Sequence, residues 1–280
     1  MRIRAATDPG AAARPNEDHY LVDDGRGIVV LADGATARTD TGCEHGTAWY
    51  AQTLTAQTAA AATGSEALRF ALLDAIEATA GAHSGCDLTH PGTPSATVAA
   101  VRTRSADAVE VLVLGDATVI VATDAGTQVH TQRIDHIAAA ERAAACALPI
   151  GDPSREDLLV AMKEVMHAHR NAEGGYWVAA TDPAAAYRAY SRIVPARGLR
   201  QILLLSDGAA ALSEVYSATD APGLVALALA EGPESIINQV RAIEADDPYA
   251  RQYPRTKRSD DATAILIDYT SSEEPGDATT

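Results

Sequence analysis

The 280-residue sequence has no excess of positive charge, and that absence narrows its function first. A formal net charge of -16 removes the Lys- and Arg-rich surface on which general nucleic-acid and anionic-membrane binders rely. Long apolar runs are missing too. The opening MRIRAATDPGAAARP lacks the core of a signal peptide, and no later stretch is long enough to span a bilayer. The expectation is a soluble cytoplasmic protein, a monomer by default, with no nucleic-acid or membrane partner. Cysteine is scarce: Cys43, Cys86 and Cys146 stand far apart without a CxxC pair. That spacing fits reduced, buried and inert thiols better than a disulfide framework or a zinc knuckle. There is no internal repeat, no GxxxxGK phosphate loop and no EF-hand pattern of alternating acids.

What is present is enough apolar material for a large core, at 47% of residues, and one domain over 1–270 is expected. The remaining 271–280, SSEEPGDATT, read as a disordered acidic tail with almost nothing to bury. HYLVDD and GIVVLAD flank Gly25-Arg26-Gly27 and predict a hairpin over 19–33. Helices follow over 44–63 and from Ser65 as N-cap, with Leu68, Leu72 and Ile76 at helical spacing. SATVAAVRT, AVEVLVLGD and TVIVATD read as a meander, with Gly115-Asp116 as the tight turn between the last two. Helices are predicted over 135–145 and 154–169, the latter capped by Ser154. Residues 171–192 mix Gly, Pro, aromatics and Arg without a period and read as a surface excursion or a lid. RQILLLSDG and ATAILIDY are the last strong strands, with two helical stretches around 222–245 between them. Runs of strands separated by helix pairs predict an α+β fold. Its simplest form is a four-layer α-β-β-α sandwich of two mainly antiparallel sheets flanked by helices.

Carboxylates recur where these strands end. IVVLAD closes at Asp33, VLVLGD at Asp116 and QILLLSD at Asp207, Asp260-Asp261 precede ATAILI, and Glu17-Asp18 open the first hairpin. Each alone is an ordinary turn or solvated-end signal. Together on one sheet edge they would repel one another unless hard dications neutralised them. All-oxygen ligation without clustered Cys or paired His points to magnesium or manganese.

The ordered set NED at 16–18, ADG at 32–34, PSATVAAV at 94–101, GDAT at 115–118, SDG at 206–208 and SDDATAILI at 259–267 resembles the metal-dependent protein phosphatases of type 2C, bacterial members included. The resemblance spans nearly the whole chain. It implies the same sandwich, and hydrolysis of phosphoserine and phosphothreonine on proteins with Mn2+ or Mg2+. It also implies a metal-activated water as nucleophile and no covalent phosphoenzyme. By the same resemblance Asp33, Asp207 and Asp260 would ligate two metals, helped by the Gly34 carbonyl. Glu17 would act directly or through water, Asp18 through water, and Asp116 with Asp207 on a third, weaker ion.

The sequence departs from that pattern. Family members usually carry Gly-Gly-His after ADG, whereas this chain reads ADGATARTDTG. His45 is the candidate replacement acid, and Arg14 the candidate ligand for the substrate phosphate. Asp261 stands where Asn is usual, its extra charge either tightening metal binding or facing solvent. The segment with Tyr176, Trp177 and Arg188 falls where the family carries a variable flap, about 146–198. The missing histidine keeps a second expectation in view, a pseudophosphatase that uses the same fold as a binding or regulatory module.

Overall fold

The structure, a computed structural model, describes residues 1–270. The expected tail at 271–280 lies outside the described residues. The hairpin predicted over 19–33 forms from β2 (Asp18–Asp23) and β3 (Ile28–Gly34), with Gly27 at φ +63°, where only glycine is free of strain. β3 shows how these strands come to bury both faces. Val29 and Leu31 join one apolar cluster, Ile28, Val30 and Ala32 the other. Period-two alternation therefore reads as a continuous apolar run, and each such side chain contributes about 1.5–3 kcal/mol when fully buried.

One antiparallel sheet runs β2, β3, β4 (Ala96–Ser105), β5 (Ala108–Leu114), β8 (Tyr190–Pro195). The other runs β1 (Arg2–Asp8), β10 (Ala262–Asp268), β9 (Leu199–Leu205), β6 (Thr118–Thr123), β7 (Gly126–His130). Val29, Leu31, Val111 and Val113 of the first sheet meet Val119, Val121, Ile202, Leu204, Ile265 and Ile267 of the second in a central layer. Helices α1 (Gly46–Ala62) and α2 (Leu68–Gly81) cover the first sheet, α5 (Asp207–Glu214), α6 (Ala221–Glu231) and α7 (Glu234–Asp246) the second. This is the expected α-β-β-α sandwich. Helices α3 (Ala139–Cys146) and α4 (Arg155–His169) stand apart on a small core of Ile137, Leu159, Met162, Met166, Tyr176 and Val178. No helix among the described residues is long and apolar enough to cross a membrane.

Several local expectations are corrected. The third strand of the supposed meander does not pair with the second: Gly115, at φ +81°, hands the chain to the other sheet, where β6 pairs with β7 and β9. Val119 and Val121 then face Val111 and Val113 across the sandwich. Ser65 does not cap α2; its hydroxyl donates to Ala61 O at 2.9 Å, and the Leu68 N–H is met by Glu110 Oε1 at 2.9 Å from β5. Ser154 holds the cap position of α4 without a side-chain cap bond. Residues 171–192 are not a loose excursion, since they lead through a 3-10 turn at Pro183–Arg188 into β8, which pairs with β5. Asp207-Gly208 begins α5 rather than a reversal.

Candidate active site

The strand ends deliver their acids to one place. β2 and β3 set Asp18 opposite Asp33, and Asp33 Oδ2 accepts a hydrogen bond of 3.1 Å from the Asp207 N–H at the first turn of α5. Asp33, Gly34, Asp116, Asp207 and Asp260 line a single cleft of about 360 Å³. Asp18 is buried beside this set, with one carboxylate oxygen lacking any hydrogen-bond partner among the described residues. Glu17 borders the adjoining groove, where its carboxylate accepts from the Thr36 hydroxyl.

Close backbone approach demands glycine at two points of this wall. A Cβ on Gly208 would meet Asp261 O at 2.0 Å, and one on Gly34 would meet Glu17 O at 2.6 Å and the Thr47 methyl at 2.5 Å. Asp261 neither reaches the cleft nor faces solvent alone: its two oxygens accept from Gly10 N and Glu17 N, both at 2.7 Å, pinning the N-terminal loop. Arg241 holds the Asp260 carbonyl at 2.8 Å.

The electrostatics are those of carboxylates crowded together in a buried place. Burial raises the Asp18 carboxyl to about 7, with repulsion from Asp260 and Asp261 adding to it. Asp116 rises to about 6, chiefly through burial. Asp33 is pushed well above the carboxylate range by burial and then by Asp207, Asp18 and Asp116, and Asp207 likewise by burial and then by Asp260. Within the set Asp260 alone has an ion-pair partner among the described residues, Lys257, which also donates to Thr36 Oγ1 at 2.7 Å. An orphaned buried carboxylate oxygen amid mutually repelling acids is the donor set of a hard dication, and these residues fit Mn2+ or Mg2+.

Cations rim the same cleft. Arg38 lines it and pairs with Glu156 at 2.9 Å. Lys163 on α4 also lines it, its ammonium lowered to about 8 by desolvation and by the nearby Lys257 and Arg38. Sequence reasoning missed these three. A compositional signal was available: Lys163 and Lys257 are the two lysines of the whole chain, and both reach the cleft.

Two of the expected residues fall elsewhere. Arg14 is exposed and lines the adjoining groove with Glu17, Lys257 and Asp261, outside the main cleft. His45 does not line the cleft at all; its Nδ1 lies 3.3 Å from Cys86 Sγ and its ring 4.2 Å from that of Trp49. A helix-start histidine points where its own turn sends it, and here that is toward α2. No histidine lines the cleft among the described residues. Tyr176 lines it, while Trp177 packs on the α1–α2 core beneath the Arg188 guanidinium, 4.7 Å from the ring centroid.

A family model described as "Protein phosphatase 2C" matches residues 11–239. No curated protein matches the sequence. Solved structures with the same fold include the catalytic domain of the serine/threonine protein phosphatase PstP with two manganese ions, 15% identical, with a TM-score of 0.55 over 95% of this chain and 97% of that one. The Staphylococcus aureus serine/threonine phosphatase Stp1 is 16% identical, with a TM-score of 0.57 over 96% and 94%. PppA of Pseudomonas aeruginosa, a regulatory component of its T6SS, is 14% identical, with a TM-score of 0.56 over 95% and 96%.

Proposed function

The chain belongs to the protein phosphatase 2C family, and from that premise we propose that its acidic cleft hydrolyses phosphoserine and phosphothreonine on proteins, with two Mn2+ or Mg2+ ions, and a third at most, as cofactors. The observation that supports this reading is the convergence of Asp33, Asp116, Asp207 and Asp260 in one cleft beside an orphaned Asp18 oxygen. Asp33, Asp207, Asp260 and the Gly34 carbonyl would hold the two principal ions, with Glu17 and Asp18 around them and Asp116 joining Asp207 at the third. Bound there, such ions supply a water of lowered pKa and offset the charge of the transferring phosphoryl group.

The other work belongs to the chain. Arg38 and Lys257 rim the cleft and are placed to orient the phosphate oxygens, Arg38 by its planar fork. Lys163, with its proton held loosely at about 8, can give that proton to the departing serine or threonine oxygen, the role the absent histidine leaves open. Helix α4, which brings Lys163 in, lies within the expected flap-like segment of about 146–198, read as part of a single domain over 1–270. One observation favours a second reading: with no histidine in the cleft among the described residues, the fold would serve as a binding module with little turnover.

The deciding experiment is phosphate release from a phosphothreonine peptide in millimolar manganese. Wild-type protein is expected to turn over, and Asp33→Asn and Asp207→Asn to lose at least about 100-fold while remaining folded. Normal hydrolysis by both variants would overturn the site. Metal uptake by wild type without phosphate release would select the binding module.

A further inference from the structure

A second polar cluster, unused by the cleft, sits where α1 begins. Cys43 and His45 lie on the segment entering α1, His83 and Cys86 on the segment leaving α2, and Asp87 N ties the two by donating to Gly42 O at 2.8 Å. One ligand atom each from Cys43, His45 and His83 lies within 4.8 Å of the others. His45 Nδ1 stands between two sulfurs, 3.3 Å from Cys86 Sγ and 3.9 Å from Cys43 Sγ.

His83 supplies independent evidence of a ligand. The residue is 6% exposed, and its Nδ1 donates to Thr79 O at 2.9 Å, which leaves the lone pair on Nε2. That Nε2 is buried with no hydrogen-bond partner among the described residues. Burial, and in the same direction the nearby His45, keeps the ring neutral. An imidazole whose one N–H is fixed by a backbone carbonyl, with the other nitrogen waiting, is the arrangement metal-binding histidines adopt. Trp49 seals the place, its ring 4.2 Å from His45 and 4.7 Å edge-on from His83.

We propose that Cys43, His45, His83 and Cys86 form a second metal site, for a thiophilic dication of the zinc type, that clips the start of α1 to the end of α2. Two sulfurs and two imidazole nitrogens suit tetrahedral zinc, whereas the acids gathered in the cleft, Asp33, Asp116, Asp207 and Asp260, offer oxygen. Each thiol releases its proton to solvent as its sulfur takes the metal, and no electron changes hands. Four protein ligands leave no open position, so the site is structural rather than catalytic. Its reach extends to the cleft, because Thr47, two residues after His45, packs its methyl against Gly34.

The test titrates reduced, metal-stripped full-length protein with Co2+, which reports thiolate ligation by a sulfur-to-cobalt charge-transfer band. The expected result is a band that saturates at one equivalent and is erased by Zn2+ but not by Mg2+. It should persist in Asp33→Asn, which touches only the oxygen cluster, and in Cys146→Ser, and vanish in Cys43→Ser and Cys86→Ser. Thermal melts of wild type give a second measure that does not depend on how well those variants fold. Zn2+ at about 100 times its dissociation constant should raise Tm by about 5 °C or more. Absence of the band in wild type, its survival in both cysteine variants, or a Cys43–Cys86 disulfide in protein that takes up no Zn2+ after reduction would overturn the proposal.

Discussion

Two acidic regions of this molecule meet their charge in opposite ways. Glu110 on β5 is 1% exposed, yet the Arg102 guanidinium lies 2.6 Å from one oxygen and Leu68 N donates to the other. Asp247 after α7 is treated similarly. Burial works against its charge, but the N–H groups of Tyr253, Arg251 and Gln252 and the Arg255 guanidinium hold its carboxyl at about 2. In the cleft the balance reverses, and Asp18, Asp33, Asp116 and Asp207 are all raised by burial before repulsion adds its share. Acids that hold the fold together come with their donors built in. The raised acids of the cleft have fewer donors than their burial demands, and their charged forms cost stability.

Removing one acid of each kind tests this contrast most severely. Glu110→Ala leaves Arg102 buried and unpaired and is expected to cost about 3–5 kcal/mol in urea unfolding. Asp33→Asn, measured in EDTA, should leave stability unchanged or raise it, since repulsion is relieved while an oxygen remains for the Asp207 N–H. Equal losses in the two variants would erase the distinction.

A pH series resolves it more finely. Asp18 and Asp116 have folded values raised to about 7 and about 6 from 3.8, so their contribution is full below about pH 4 and is lost as pH rises toward 7. Asp247 has a folded value lowered from 3.8 to about 2, so its contribution is present above about pH 4 and is lost as pH falls toward 2. Metal-free protein should therefore lose thermal stability between about pH 4 and 7, each carboxyl contributing a slope of at most about 1.4 kcal/mol per pH unit. Millimolar Mn2+ should flatten that slope, and a metal-free melt that gains stability over the same range would contradict the cluster.

The smallest expected effect concerns the rim. Lys163→Met should slow hydrolysis of a phosphothreonine peptide about 10-fold more than that of p-nitrophenyl phosphate, whose leaving oxygen needs no proton. Equal slowing of both substrates would make Lys163 a phosphate-binding cation only.

The strong elements were legible because burial writes itself into sequence. The apolar runs of β3, β4, β5, β9 and β10 are buried on both faces, and the carboxylates at Asp33, Asp207 and Asp260 stand directly beside such runs. The strands that escaped notice, β1, β7 and β8, are all sheet edges with exposed positions, so no apolar period marks them. The rim cations escaped because Arg38, Lys163 and Lys257 come from a loop, a helix and another loop with no shared spacing.

Short-range pattern was enough to establish most of the strands and helices, the stacking of two sheets between helices, and the gathering of acids at strand ends, since periodicity and turn chemistry act over a few neighbouring residues. Folding in three dimensions was needed to send β6 from its neighbour to the other sheet, to make Asp261 clamp backbone instead of facing the cleft, and to bring Cys43 and Cys86 together on His45. The same apolar face can be buried by pairing within a sheet or by stacking across it, and spacing along the chain carries no record of which loops two helices will bring together.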